Sequence, residues 1–306
     1  MIYFKLLKET WKYAEEHRWK ICLFLALHAL SLGAMILTPL VFAQILNAIQ
    51  TETTNQILKT VTFWTFVWVG LSLWFNLTHR VARYFEFNVA FNVKKKFQER
   101  LYRILTELPL KWHIDHHSGD TINRINIASE ALFSYTVSQF FYLGTIINFV
   151  GPIAVLSFLS WKIAVGVAIF SVFIIWSMKR FDRSLITAYN ELNEKRHKVS
   201  AVFFDFVSNI KTIITLRLGN RTVSELSQAI DQTYRPLIYA ETWVNSWKWF
   251  TLTFLIMILQ LGVIFAYVWQ KIMENSTILI GNVAAVFQYV RQLTDGFNQG
   301  VQHYQE

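Results

Sequence analysis

The sequence is poor in the residues that build disulfide bonds, turns and charged surfaces. Its 306 residues include one cysteine and four prolines, and only 16% are charged, against roughly 25% in an ordinary soluble domain. A single cysteine excludes an intrachain disulfide bond. Because 54% of the residues are hydrophobic, the composition also excludes a disordered chain and disfavours a soluble enzyme.

Six segments contain no Asp, Glu, Lys or Arg, and most reach the roughly 20 residues that a membrane-spanning helix needs. Their apolar runs are continuous rather than alternating, which disfavours strands. We therefore predict an all-α membrane protein with six transmembrane helices. The predicted spans are about 21–49, 59–79, 132–159, 162–180, 249–270 and 277–293.

Lys and Arg are distributed unevenly between these spans. Residues 1–20 hold 5 of them, residues 80–130 hold 9 and residues 179–248 hold 11, out of 29 in the chain. The positive-inside rule then predicts a multi-pass protein of the plasma (inner) membrane with both termini in the cytoplasm. The net charge of +9 fits lipid headgroups, and the lipid bilayer is the first predicted partner. We expect no binding of nucleic acid, because no basic groove with interleaved aromatic residues is visible.

The N-terminal residues 1–18 have the pattern of an amphipathic helix. Phe4, Leu7 and Trp11 fall on one helical face, and Lys5 and Lys12 fall on the opposite face. This pattern predicts a helix that lies in the cytoplasmic interface of the membrane.

The predicted cytoplasmic connections continue the spans as long helices. Residues 78–108 contain no Gly or Pro, so the second helix is expected to continue until Pro109. A short break at about 110–120 then forms the tip of a hairpin. A second tip is predicted at about 210–221, where Gly219–Asn220 is the expected helix breaker.

The residues after the first break carry a family resemblance. Gly119 to Arg124 reads G-D-T-I-N-R, which resembles the G-D-[LIT]-x-x-R signature of ATP-binding cassette (ABC) exporters. Residues 209–216 look like the second coupling segment of that family, and residues 1–18 look like its elbow helix. The resemblance implies that the whole chain, 1–306, is one transmembrane domain of the six-helix exporter type.

The resemblance also implies partners and a function. It predicts ATP-driven export by a homo- or heterodimer, in which the two tips contact nucleotide-binding domains. ATP and Mg are expected on those domains, because no G-x-x-x-x-G-K-[ST] loop occurs in this chain. The nucleotide-binding domain is therefore expected either as a fused part of a longer protein or as a separate chain. No catalytic, cofactor-binding or metal-binding residues are predicted in this chain.

The residues predicted to couple to the ATPase domain lie at the two tips. They are Lys111, Trp112, His113, Asp115, His116, His117, Gly119, Asp120, Arg124, Lys211, Thr212, Thr215 and Arg217.

Uncharged polar or aromatic residues near membrane depth are candidates for a substrate cavity, with interhelical hydrogen bonding as the alternative explanation. They are His28, Gln44, Asn148, Trp247 and Gln260.

Two other functional classes stay open. An integral membrane metalloenzyme would use the His and Asp cluster at 113–117. A secondary transporter or channel would need no ATPase, although proton-coupled transporters normally carry ionisable groups inside the spans, and the six uncharged segments contain no Asp, Glu, Lys or Arg.

Two prolines fall inside predicted spans. Thr38–Pro39 and Gly151–Pro152 predict helix kinks, where backbone groups released from their helical hydrogen bonds need a neighbour or a water-filled cavity.

Overall fold

A computed structural model of the chain describes residues 2–115 and 118–305. Within that part the chain is helical, with short connections and no strand. The all-α membrane fold predicted from the sequence is confirmed. The chain divides into two compact units, Met1–Ala164 with Val263–Glu306 and Val165–Gly262, which are called unit 1 and unit 2.

Among the described residues, the first part of unit 1 contains six helices and the start of a seventh. They are α1 (Ile2–Ala14), α2 (Arg18–Thr51), α3 (Thr54–Glu107), α4 (Leu110–Asp115), α5 (Ser118–Val137), α6 (Gln139–Leu159) and the first residues of α7 (Trp161–Ser208). A 3₁₀ turn, Glu15–His17, joins α1 to α2.

Unit 2 contains most of α7 and the helices that follow it. They are α8 (Ile210–Thr215), α9 (Gly219–Asp231), α10 (Tyr234–Ile238), a π-helix (Tyr239–Asn245) and most of α11 (Ser246–Met273). The chain then returns to unit 1 with the end of α11 and with α12 (Ile280–Gln305).

The core of unit 1 joins the N-terminal helix to the long helices. Tyr13 of α1, Phe24 of α2, Val89 of α3 and Leu132 of α5 are all buried in one apolar cluster. Helix α2 packs along α3, and α12 packs against both α2 and α6. This apolar burial is the main stabilising contribution that fixes α1 against α3.

The core of unit 2 lies between α7 and the π-helix. Leu185 and Ala188 of α7 are buried against Ala240 and Val244. Because these pairs are spaced three or four residues apart, each helix presents one apolar stripe to the other. The stripe positions the π-helix against α7. Helices of this form are rare in proteins, and those that occur are often found at functional sites.

Five helical stretches of the described chain are long and apolar enough to cross a membrane. They are Lys5–Thr51, Thr54–Glu107, Gln139–Leu159, Trp161–Ser208 and Gly219–Met273. Four of them contain the first, second, fourth and fifth predicted spans and continue well beyond them, whereas Gln139–Leu159 covers only part of the third.

The boundaries of two predicted spans need correction. The third, at 132–159, is interrupted at Ser138, which separates α5 from α6. The sixth, at 277–293, begins only at Ile280, because Asn275 has a φ of 48° and ends α11, and residues 276–279 are not helical. That leaves an apolar stretch of α12 from Ile280 to Val290 before Arg291, and a sixth crossing stays a prediction.

Candidate functional site

The first predicted tip contains a helix of its own. Helix α3 ends at Glu107, and α4 follows Pro109, which lacks a backbone N–H and starts the new turn. The backbone N–H of Trp112 donates to the carbonyl of Pro109 over 2.9 Å. The His113 ring donates from Nε2 to the carbonyl of Leu105, at 3.0 Å, in the last turn of α3. This bond holds α4 back against the end of the long helix.

An apolar groove of about 600 Å³ lies beside α4. Tyr102 and Leu105 of α3, Trp112 of α4, and Ile122 and Ile125 of α5 line it. The groove is therefore bordered by α3, α4 and α5.

The predicted first-tip residues are mostly exposed. Trp112 is half-buried and its ring makes an edge contact with His113, with 5.2 Å between the ring centroids. The exposed residues are Lys111, His113, Asp115, Gly119 and Arg124. His116 and His117 lie outside the described residues, and the side chain of Asp120 is also outside them.

The second predicted tip also contains a short helix, α8. Lys211, Thr212 and Thr215 lie on it, and Lys211 and Thr215 are exposed. The Thr215 hydroxyl donates to the carbonyl of Lys211 over 2.8 Å. The predicted tips at 110–120 and 210–221 thus each hold a six-residue helix between longer ones.

The position of the break at the second tip was predicted wrongly. Gly219 begins α9 instead of interrupting a helix, and the chain reverses at Arg217, which has a φ of 52°. The N–H of Leu218 donates to the carbonyl of Ile213 over 2.9 Å, the long bond of a helix C-terminal motif with a left-handed residue. Glycine is the usual residue in that conformation, and for this reason the sequence predicted the break at Gly219, two residues after its actual position.

Three of the predicted cavity residues lie in unit 1. His28 is fully buried and its Nε2 lies 3.2 Å from Oε2 of Glu86, so in this structure it is a packed interior residue. Gln44 is exposed and Asn148 is half-buried. In unit 2, Trp247 is 51% exposed and Gln260 is half-buried.

Glu86 is a buried charged residue at the break between α5 and α6, and the sequence did not reveal its burial. Its side chain has no exposed surface, and Arg83 donates to Oε2 over 2.6 Å. The backbone N–H of Phe140 donates to Oε1 over 3.3 Å, directly after the break at Ser138. Arg83 also donates to the carbonyl of Val137 over 2.7 Å, so this pair holds both sides of the break. The i, i+3 spacing of Arg83 and Glu86 is the only feature of the sequence that indicates this ion pair.

In unit 2 one polar contact joins α7 to the start of α11, and another joins α7 to the π-helix. Lys248 lies 2.6 Å from Asp182, and the Tyr189 hydroxyl donates to the carboxylate of Glu241 in the π-helix. A hydrogen bond from Tyr189 and a second from Asn245 lower the pKa of Glu241. Tyr189 and Glu241 both lie outside the predicted spans.

The metal hypothesis for 113–117 is untested. Among the described residues no group of three His, Cys, Asp or Glu side chains is placed to hold a metal ion. Two members of the predicted cluster, His116 and His117, are outside those residues.

The long apolar helices define a multi-pass membrane protein, and comparison with known proteins gives its class. The model of the ABC transporter transmembrane region matches residues 21–297, so the chain belongs to this family. ABC transporter B family member 7 of Dictyostelium discoideum is 24% identical over 172 residues, which are 56% of this chain and 21% of that protein. The match thus spans about a fifth of the relative's length. The chain is the membrane-spanning subunit or domain of an ABC transporter.

Proposed function

We propose that this chain forms the substrate pathway of an ATP-driven exporter and receives the force for transport at α4 and α8. The observation that carries the proposal is that each of these short helices stands exposed between longer helices. A domain that pushes on α4 moves the end of α3, which is 54 residues long. At 1.5 Å per residue such a helix measures roughly 80 Å, so it conveys motion over the depth of a membrane.

Both short helices present the same kind of surface. Leu110 and Ile114 are each 75% exposed on α4, and Ile210 and Ile214 are 47% and 69% exposed on α8. Each pair has i, i+4 spacing and therefore lies on one helical face. Exposed apolar pairs on helices of six residues favour a partner that covers them. An ABC nucleotide-binding domain, fused or separate and carrying ATP and Mg, is the partner we propose.

The proposed orientation places both tips and both termini in the cytoplasm of a plasma (inner) membrane protein. The distribution of Lys and Arg supports it, since 25 of the 29 fall in residues 1–20, 80–130 and 179–248. A homo- or heterodimer of such transmembrane domains would enclose the pathway.

The first experiment is to purify the native polypeptide from its membranes, measure its intact mass and assay ATP hydrolysis. An attached or copurifying ATPase supports the proposal. Transport that persists after ATP depletion would instead favour a secondary transporter, and stoichiometric bound metal would favour a metalloenzyme.

The coupling surface is tested by Ile114→Asp and Ile214→Asp, with Ile127→Asp as the matched control. Ile127 is 61% exposed on α5 and belongs to neither short helix. We expect both tip variants to lose ATPase binding when that domain is separate, or the coupling of ATP hydrolysis to transport when it is fused. Trp112→Ala with Asp115→Ala probes the same helix. Unchanged coupling in all tip variants would contradict the assignment.

A further inference from the structure

Helix α2 contains a proline, Pro39, in its interior, and this residue interrupts the helical hydrogen bonds. Pro39 has no backbone N–H, so the carbonyl of Met35, one turn earlier, loses its helical donor. The proline ring also crowds the carbonyl of Met35. Inside a membrane such carbonyls need another donor, because lipid supplies none.

Two side chains of α12 supply donors to this turn. Gln292 donates from Nε2 to the carbonyl of Met35 over 3.3 Å. The Tyr289 hydroxyl donates to the carbonyl of Ile36 over 2.7 Å, and the Tyr289 side chain is fully buried. The i, i+3 spacing places both donors on one face of α12.

The same face of α12 meets the second proline-containing helix. Pro152 lies inside α6 and removes the donor for the carbonyl of Asn148. Gly296, one turn after Gln292, packs against this residue: a β-carbon placed on Gly296 would lie 3.4 Å from the carbonyl carbon of Asn148. Helices α12 and α6 therefore approach each other where the helical bond is missing.

The two proline-containing turns also touch. A β-carbon on Gly151 would lie 2.1 Å from Cδ1 of Ile36, so only glycine fits there without displacing that side chain. Ile36 is the residue whose carbonyl accepts from Tyr289. The proline-containing turns of α2 and α6 are thus in contact with each other, and α12 packs against both.

We propose that Tyr289, Gln292 and Gly296 are positioning residues that tie the tilt of α12 to the kinks of α2 and α6. Gln292 of α12 supplies a donor for the carbonyl that Pro39 leaves without one, Tyr289 donates to the next carbonyl of the same turn, and Gly296 packs closely on the turn that Pro152 opens. A change in the kink of α2 then moves α12, and a movement of α12 changes the kink of α2. Only the use of this linkage in transport rests on the proposed function, since the linkage itself is a property of unit 1.

The test measures the kink of α2 directly. Spin labels at Leu30 and Ile49, each 54% exposed, lie on either side of Pro39 in a protein whose Cys22 is replaced by Ser. They are separated by roughly 28 Å along a straight helix, a range suited to pulsed electron paramagnetic resonance. The protein is reconstituted in lipid nanodiscs without nucleotide, so the outcome is independent of ATP-driven export.

We expect Gln292→Leu and Tyr289→Phe to broaden or shift the distance distribution. Thr294→Val is the control, because the Thr294 hydroxyl donates to the carbonyl of Val290 within its own helix. The control should leave the distribution unchanged. If Tyr289→Phe yields no folded protein, Gln292→Leu alone is sufficient for the test. Gln292 donates to the carbonyl of Met35, which is the carbonyl that loses its helical donor to Pro39.

Pro39→Ala gives the signature that distinguishes linkage from general loss of packing. Alanine restores the N–H that bonds to Met35, so Gln292→Leu should have little further effect in that background. The proposal is overturned if Gln292→Leu leaves the distance unchanged with Pro39 present. It is equally overturned if Gln292→Leu broadens the distance to the same extent in the Pro39→Ala background.

Discussion

The Lys248 ammonium lies 2.6 Å from the Asp182 carboxylate, and only 1% of the lysine side chain is exposed. This ion pair joins α11 to α7 inside unit 2. A buried charge that loses its partner keeps its desolvation penalty without compensation. The contact therefore fixes the start of α11 against α7.

Lys248→Met removes the positive charge and leaves Asp182 partly buried. We expect a loss of about 3 kcal/mol in stability, because breaking a buried pair from one side is strongly destabilising. The measurement is thermal unfolding of the purified protein in detergent, followed by tryptophan fluorescence. Lys198→Met on the same helix as Asp182 is the control, since Lys198 is exposed. Equal unfolding of both variants would show that the pair contributes nothing.

Glu86 gives a second prediction about stability. Glu86→Ala removes the acceptor of Arg83 and of the Phe140 N–H, so we expect a loss of about 3–5 kcal/mol. Glu86→Gln should be intermediate, because its amide oxygen still accepts from Phe140. Glu99→Ala is the control, since the Glu99 side chain is 52% exposed on the same helix. An alanine variant at Glu86 as stable as this control would contradict the prediction.

The sequence predicted what depends on local pattern. Uncharged runs predicted the apolar helices, and Pro109 predicted the end of α3, because a span needs continuous apolar residues and proline lacks a donor. The partner of His28 could not be predicted in the same way. Glu86 lies 58 positions away and meets His28 because α2 packs along α3. Such pairs depend on tertiary packing, which periodicity within one helix does not encode.

The same limit applies at the second tip and in α12. Gly219 was the natural candidate for a helix break, yet the bonds around α8 place the left-handed residue at Arg217. The sequence predicted that the carbonyls freed at Pro39 need a neighbour. It did not identify Tyr289, which is 253 positions from Ile36. Long-range contacts of this kind follow from the fold as a whole.

The Tyr189–Glu241 hydrogen bond predicts a pH dependence. It raises the pKa of Tyr189 to about 12 and lowers the pKa of Glu241. The contribution of Glu241 to folding stability is fully present above the ordinary carboxyl pKa, and it is lost as the pH falls through the lowered pKa of Glu241. The contribution from Tyr189 is complete below its ordinary pKa of about 10 and is lost as the pH rises through about 12. The bond is thus intact at neutral pH.

The check is an ultraviolet titration of tyrosinate, taken as the difference between the protein and Tyr189→Phe. We expect the missing tyrosine to ionise near pH 12, and Glu241→Gln to bring the pKa of Tyr189 down towards about 10. Glu225→Gln, at an exposed position of α9, should leave that pKa unchanged. A Tyr189 that ionises near pH 10 with Glu241 in place would show that the bond is absent in solution.

The left-handed conformation of Arg217 gives the last prediction. A residue with a β-carbon costs roughly 1–2 kcal/mol in this conformation, whereas glycine adopts it freely. Arg217→Gly is therefore expected to stabilise the end of α8 by about 0.5–1 kcal/mol, and Arg217→Val to destabilise it. Hydrogen exchange at the N–H of Leu218, which donates to Ile213, reports the change directly. Slower exchange in the glycine variant and faster exchange in the valine variant are expected. The reverse order would mean that the chain does not reverse at Arg217.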